Sequence, residues 1–139
     1  MAEGPAGATA PTVIFDTDVL IWYFRGSEKA RRFLSRVPHQ RRAISSLTLM
    51  ELLQGCRDRA EARDVKAFAG ENVPVLLHPD EAIARRAIDL LEEHAPSRGL
   101  RVVDALIAAT AVEAGGFLAT ANVRHYRVIA RLDLLPFRP

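Results

Sequence analysis

Val13, Ile14 and Phe15 form a continuous apolar run behind Pro11, and the run stops at Asp16-Thr17-Asp18. A strand with no polar side belongs between two helix layers, where parallel strands lie. An acid directly behind such a run is costly to bury. In open parallel sheets ligands sit at the carboxyl ends of the strands, so Asp16 falls where chemistry would be placed. Asp18 has a second reading, as N-cap of the apolar helix that follows; for Asp16 no capping role is expected.

Short apolar runs and helical patterns alternate along the rest of the chain. Residues 19–24 are apolar on every side, which predicts a helix buried in the core or against another chain, ended by Gly26. Ser27 caps a helix carrying Ala30, Phe33, Leu34 and Val37 at helical spacing, and Pro38 stops it. A strand is expected over residues 42–45. Ser46 or Thr48 then opens a helix with Leu49, Met50, Leu52 and Leu53, and Ala62, Val65, Phe68 and Ala69 mark the next. Residues 73–77 read as a short or edge strand because Pro74 interrupts them. A long helix starts at Asp80 and ends before Pro96, and residues 97–99 form a loop. An alanine-rich helix over residues 105–112 is closed by Gly115-Gly116, with strands over 117–120 and 132–135. This alternation predicts an α/β protein with a mainly parallel four- to five-stranded sheet and helices on both faces.

A chain of 139 residues, 49% hydrophobic and 26% charged, is a soluble globule with room for one core. The expected organisation is a loose tail over residues 1–11 and a single domain over 12–139. No apolar run reaches the ~20 residues of a membrane span. Cys56 is the only cysteine, so no internal disulfide forms and a reducing, cytoplasmic home is expected. The net charge is only +2, yet all basic residues except Lys29 and Lys66 are arginine, whose planar fork matches phosphate oxygens. A codon bias towards arginine gives the same composition.

Asp16, Asp18, Glu51, Asp104 and Asn122 all fall at strand ends or first helical turns, which in a parallel sheet share one edge. Individually each has a structural reading: Glu51 as the far half of a capping box begun by Thr48, Asp104 as an N-cap or a partner to the helix dipole. Together they can converge. Crowded carboxylates repel one another unless a divalent cation sits among them, and oxygen-only donors select Mg²⁺, with Mn²⁺ as a substitute, over zinc. Carboxylate-held Mg²⁺ serves phosphoryl chemistry by activating water and stabilising the leaving oxygen, so the reaction class is phosphodiester hydrolysis.

Four motifs in register resemble a PIN domain of the VapC toxin type: Asp16-Thr17-Asp18 behind its apolar run, Thr48-Leu-Met-Glu51-Leu-Leu-Gln-Gly55, Asp104-Ala-Leu-Ile-Ala-Ala-Thr-Ala, and Leu118-Ala-Thr120-Ala-Asn122-Val-Arg-His125-Tyr126. The resemblance covers roughly residues 12–136. It implies a PIN-like α/β/α sandwich, a Mg²⁺-dependent endoribonuclease acting on RNA, a homodimer, and neutralisation by a VapB-type antitoxin. Asp16, Glu51 and Asp104 match the family's acidic metal site. Asn122 stands at the fourth place, where other PIN proteins often carry aspartate, and Tyr126 stands where phenylalanine is usual. Thr120 either orients the attacking water or an acid, or makes a plain strand-end hydrogen bond. His125 is read as a structural or substrate contact rather than a general base. Arg25, Arg98, Arg101 and Arg124 are candidate phosphate contacts, with solvated surface arginine as the alternative. Tyr23 and Tyr126 are candidate stacking platforms, as is Trp22 unless it belongs to the core.

Three rivals are weaker. A haloacid-dehalogenase-like phosphatase wants threonine or valine where Leu20 stands, and a late lysine that the chain lacks. A phosphoacceptor receiver needs an aspartate on the third strand, where residues 73–78 have none. A non-catalytic PIN-fold module binding RNA or protein has no need of intact Asp16, Glu51 and Asp104.

Overall fold

The computed structural model describes residues 11–139, the side chain of Arg98 excepted, so the tail expected over residues 1–11 lies, but for Pro11, outside the described residues. The elements run β1 (Val13–Phe15), α1 (Thr17–Phe24), α2 (Glu28–Arg36), a 3-10 turn (His39–Arg41), β2 (Arg42–Ser45), α3 (Ser46–Gln54), α4 (Arg59–Asn72), β3 (Val75–Leu77), α5 (Glu81–Arg98), α6 (Val102–Ala114), β4 (Phe117–Thr120), α7 (Val123–Tyr126) and β5 (Asp133–Pro136). The five strands form one parallel sheet in the order β3-β2-β1-β4-β5. β3 is an edge strand, as Pro74 required.

Helices cover both faces, giving the α/β/α sandwich. On one side α1 to α4 bury Val19, Leu20, Leu34, Leu52 and Phe68 with Val13, Phe15 and Ile44. On the other, α5 to α7 bury Ile83, Leu90, Ile107 and Tyr126 with Ile14 and Leu118. Each fully buried large apolar side chain contributes about 1.5–3 kcal/mol, which is why the strands could be read from their apolar runs. Ala105, Ala108, Ala109 and Ala111 are all fully buried, so the small residues of α6 bring its axis close to the sheet. Gly116 lets β4 start hard against the chain before β1: a Cβ there would stand 2.3 Å from the Thr12 carbonyl oxygen.

Four sequence expectations are corrected. Asp16, not Asp18, is the N-cap of α1, its Oδ1 accepting from Thr17 N at 2.9 Å; β1 ends at Phe15 as expected, but the helix starts at Thr17, two residues before the apolar run suggested. Ser45 caps α3, leaving Thr48 inside the helix, so there is no capping box for Glu51 to close. Arg101 occupies the cap position of α6 and Asp104 lies in its first turn. Finally, α5 runs through Pro96 to Arg98, because Gly99, at φ 66, supplies the left-handed cap that terminates it. Two aromatic assignments also change: Trp22 is 37% exposed rather than core, and Tyr126 is 1% exposed and cannot stack on a base.

Candidate active site

The strand order reverses between β1 and β4, and the crevice outside the carboxyl ends at such a point is where open α/β sheets bind ligands. Phe15 pairs with Ala119, which sets Asp16 beside Thr120. The Asp16 N–H donates to Ala119 O at 2.8 Å, holding the acid at the sheet edge. Thr120, fully buried, donates its hydroxyl to Asp16 Oδ2 at 2.8 Å and accepts from Asn122 N at 2.9 Å. Its one proton therefore goes to Asp16, and Asp18 Oδ2, at 3.4 Å, is the poorer acceptor. Thr120 thus makes a strand-end hydrogen bond whose acceptor is the acid Asp16.

Asp18 projects to the same place from the first turn of α1. Its Oδ2 accepts from Ala121 N at 3.1 Å, while its Oδ1 is buried with no hydrogen-bond partner. An unpartnered buried carboxylate oxygen lacks a positive neighbour. Burial, with the Asp18 carboxylate adding to it, pushes the Asp16 carboxyl from 3.8 up to about 7, against the hydrogen bonds from Thr120 and Thr17 that pull it down; Asp104 adds a smaller push upward. Burial likewise raises Asp18, with the Ala121 and Val19 N–H groups opposing.

Glu51 reaches the edge from α3. Its Oε1 accepts from Thr17 Oγ1 at 2.6 Å, and Thr48 Oγ1, fully buried, stands 3.1 Å from the same hydroxyl. Thr17 is thus a positioning residue that sequence reasoning passed over. Its place between two candidate acids was visible, but the direction of its hydroxyl was not. Glu51 and Asp104 line a common cleft of about 500 Å³ with Arg101, Val102 and Val103.

Asp104 is gripped from α7. The Tyr126 hydroxyl donates to its Oδ1 at 3.3 Å, and His125 Nε2 lies 3.4 Å from its Oδ2, outside hydrogen-bond geometry. Burial first, then the negative charges of Asp16 and Asp104, push the Tyr126 phenol far above its ordinary range, so it is a neutral donor. Asn122 is exposed at the start of α7 and its side chain caps nothing. Arg25 stacks over Trp22 at 5.8 Å and lines a cleft with Glu51, and Arg124 is exposed. Among the described residues no three acidic, histidine or cysteine side chains close into a shell that could enclose an ion unaided. The arrangement is an open, oxygen-lined edge.

Such an edge at the switch point of a parallel sheet defines a class, the α/β proteins that act on a ligand through clustered carboxylates. A family model described as PIN domain matches residues 13–130, and the chain belongs to that family. It is 35% identical over 123 residues to Ribonuclease VapC19 of Mycobacterium tuberculosis, covering 86% of this chain and 96% of that protein. Ribonuclease VapC10 of the same organism is 37% identical over 123 residues, covering 86% and 90%. A toxin-antitoxin complex from Klebsiella pneumoniae superposes with a TM-score of 0.76 at 28% identity, over 91% of this chain and 98% of that one. These relatives bear out the resemblance carried by the four motifs. Among the described residues no helix is long and apolar enough to cross a membrane.

Proposed function

We propose that this chain is a divalent-metal-dependent endoribonuclease toxin, with Asp16, Glu51 and Asp104 as the metal-binding acids and Asn122 and Thr120 completing the catalytic set. The observation that carries the reading is the convergence of Asp16 and Asp18 on the Thr120 hydroxyl, with Asp104 adding to the negative field at Asp16 and the Asp18 Oδ1 atom buried and unpartnered. The donor set fits Mg²⁺ or Mn²⁺: all oxygens, and no need for a closed cage, because Mg²⁺ keeps several waters and is commonly held by one or two carboxylates plus substrate phosphate. Asp18 is a further candidate ligand through that unpartnered oxygen. When bound, the cation supplies charge neutralisation and Lewis acidity for phosphodiester hydrolysis. The chain's own residues supply orientation: Thr120 fixes Asp16, Thr17 fixes Glu51 and Tyr126 fixes Asp104.

A cytoplasmic toxin must be restrained, and apolar surface is available for a partner. Ile21 and Phe24 are 38% and 41% exposed on α1, beside a cleft of about 850 Å³ between α1, α3 and α4 that reaches Glu51. Contiguous apolar surface of this kind marks a partner site; the likeness to a toxin-antitoxin complex supports a VapB-type antitoxin segment as one occupant, and a second copy of the chain is the other occupant in this reading. Purified protein incubated with structured RNA is expected to cleave it with Mg²⁺ or Mn²⁺ and to stop in EDTA. Cleavage that persists in EDTA would overturn the metal assignment.

Tyr126→Phe offers a finer check on the same site. The ring is retained, so the fold should survive with a loss of about 1 kcal/mol or less. Divalent-ion affinity should fall about tenfold, as is typical when the partner that orients a ligating group is removed. Titration calorimetry with Mn²⁺ measures this; an unchanged affinity would confine Tyr126 to a packing role.

A further inference from the structure

A second feature lies on the sheet face covered by α1 to α4. Between α2 and strands β4 and β5 runs a groove of about 720 Å³ with an apolar floor that includes Val13, Phe117 and Phe137. Its rim carries Lys29, Arg32, Arg36 and Arg138, and no carboxylate lines it among the described residues. Lys29, Arg32 and Arg36 are spaced by three and then four residues, which puts them in a row along one side of α2. The only acid on that helix is Glu28, whose contacts to Arg31 and Arg32 are long, 3.6 and 3.7 Å, between side chains more than half exposed. Such pairs are weak, so the row keeps its positive field.

The groove's floor is tied through the backbone to the residue that holds Asp16. Phe137 N–H donates to Thr120 O at 2.8 Å, and Thr120 is the residue that holds Asp16. Phe117, on the floor, and Thr120 lie at opposite ends of β4, about 10 Å of strand apart. We infer that the groove is an RNA exosite, holding the strand that flanks the scissile phosphate; this rests on the ribonuclease reading above. A row of cations without counter-charge matches a polyanion with regularly spaced phosphates, and arginine binds phosphate through two parallel N–H bonds. Of its apolar lining only the half-buried Phe33, Phe117 and Leu135 and the exposed Pro38 and Pro136 are open to a base, so the phosphate contacts carry the binding.

The test uses the full chain with Lys29, Arg32 and Arg36 all replaced by glutamine, its folding checked by circular dichroism, and Arg138→Gln as a second variant remote from α2. Binding of a labelled single-stranded RNA is followed by anisotropy in EDTA, where cleavage does not interfere. The slope of log affinity against log salt should fall by about 0.7 for each phosphate contact removed, roughly two for the triple variant. With metal present, the same variant should raise KM for a long RNA while cleaving a dinucleotide as the parent does. Unchanged affinity and salt slope in both variants overturn the exosite, and leave the nuclease reading intact if cleavage persists. Loss of binding to an acidic amphipathic peptide, with RNA binding unaffected, also overturns it in favour of a protein-docking groove. Salt-sensitive RNA binding that needs the three cations, in a protein that cleaves no RNA, keeps the groove and strikes the nuclease reading.

Discussion

Asp104→Asn is expected to lower RNA cleavage by more than about 100-fold while leaving the metal-free protein's stability within about 0.5 kcal/mol of the parent. Two small effects oppose each other in the metal-free fold. Asp104 lies in the first turn of α6, where a negative charge favours the helix dipole, but it also adds to the negative field that raises Asp16. The amide keeps an oxygen for the Tyr126 hydroxyl, which donates to Oδ1 at 3.3 Å, so the local packing survives. What the variant loses is charge at the open edge. The rise in melting temperature produced by excess Mg²⁺ should therefore largely disappear, because a ligand stabilises only in proportion to its affinity for the folded state. Thermal melts with and without Mg²⁺, alongside a cleavage assay, check this. If stability in the absence of metal drops by about 1 kcal/mol or more and activity is spared, Asp104 serves only the helix terminus.

The second large effect is the pH dependence of the metal-free protein. Asp16 sits in the fold at about 7 against 3.8 for an ordinary aspartate, chiefly through burial and then through Asp18. Between those values the folded protein holds a proton that the unfolded chain has released. The sign follows: the site's contribution is most favourable below about pH 4 and is lost as pH rises through about 7. A shift of this size corresponds to a change on the order of 2–4 kcal/mol across the window. Asp16→Asn should remove this dependence without removing the N-cap, since asparagine caps a helix as well as aspartate does. Urea unfolding of both proteins at pH 5 and pH 8 in EDTA isolates the term as the difference between them. Excess Mg²⁺ should shrink it in the parent, because a cation among the acids favours their ionised forms. Equal pH profiles for parent and variant would show that Asp16 ionises freely.

The match between sequence and structure is closest where the physics is local. β2 and β4 occupy the residues their apolar runs predicted, and Ser27 caps α2 through Ala30 N at 3.1 Å. The rule that parallel strands end at one ligand-bearing edge was enough to send Asp16, Asp18, Glu51 and Asp104 towards one another. The alanines of α6 and the pairing of Gly115 with the helix end were equally plain. The failures cluster at helix starts, where a shift of one or two residues decides which acid caps and which stays free. Asp16 is the instructive case, since it caps α1 and also belongs to the candidate site.

The amino-acid sequence by itself determined the order of the strands and helices, the edge at which the acids would gather, and the hard, oxygen-only character of their donors, because periodicity and residue type carry that information over a few neighbouring positions. Only the tertiary structure decided which groups hold those acids. Thr17 meets Glu51 across 34 positions and Thr120 meets Asp16 across 104. Tyr126 turns its hydroxyl to Asp104 rather than to solvent because its ring is buried between the sheet and its helices. The cationic groove likewise exists only once α2 is laid beside β4 and β5, since its rim and floor come from segments about a hundred residues apart in the chain. Side-chain direction at such separations is set by packing, and packing is a property of the folded whole.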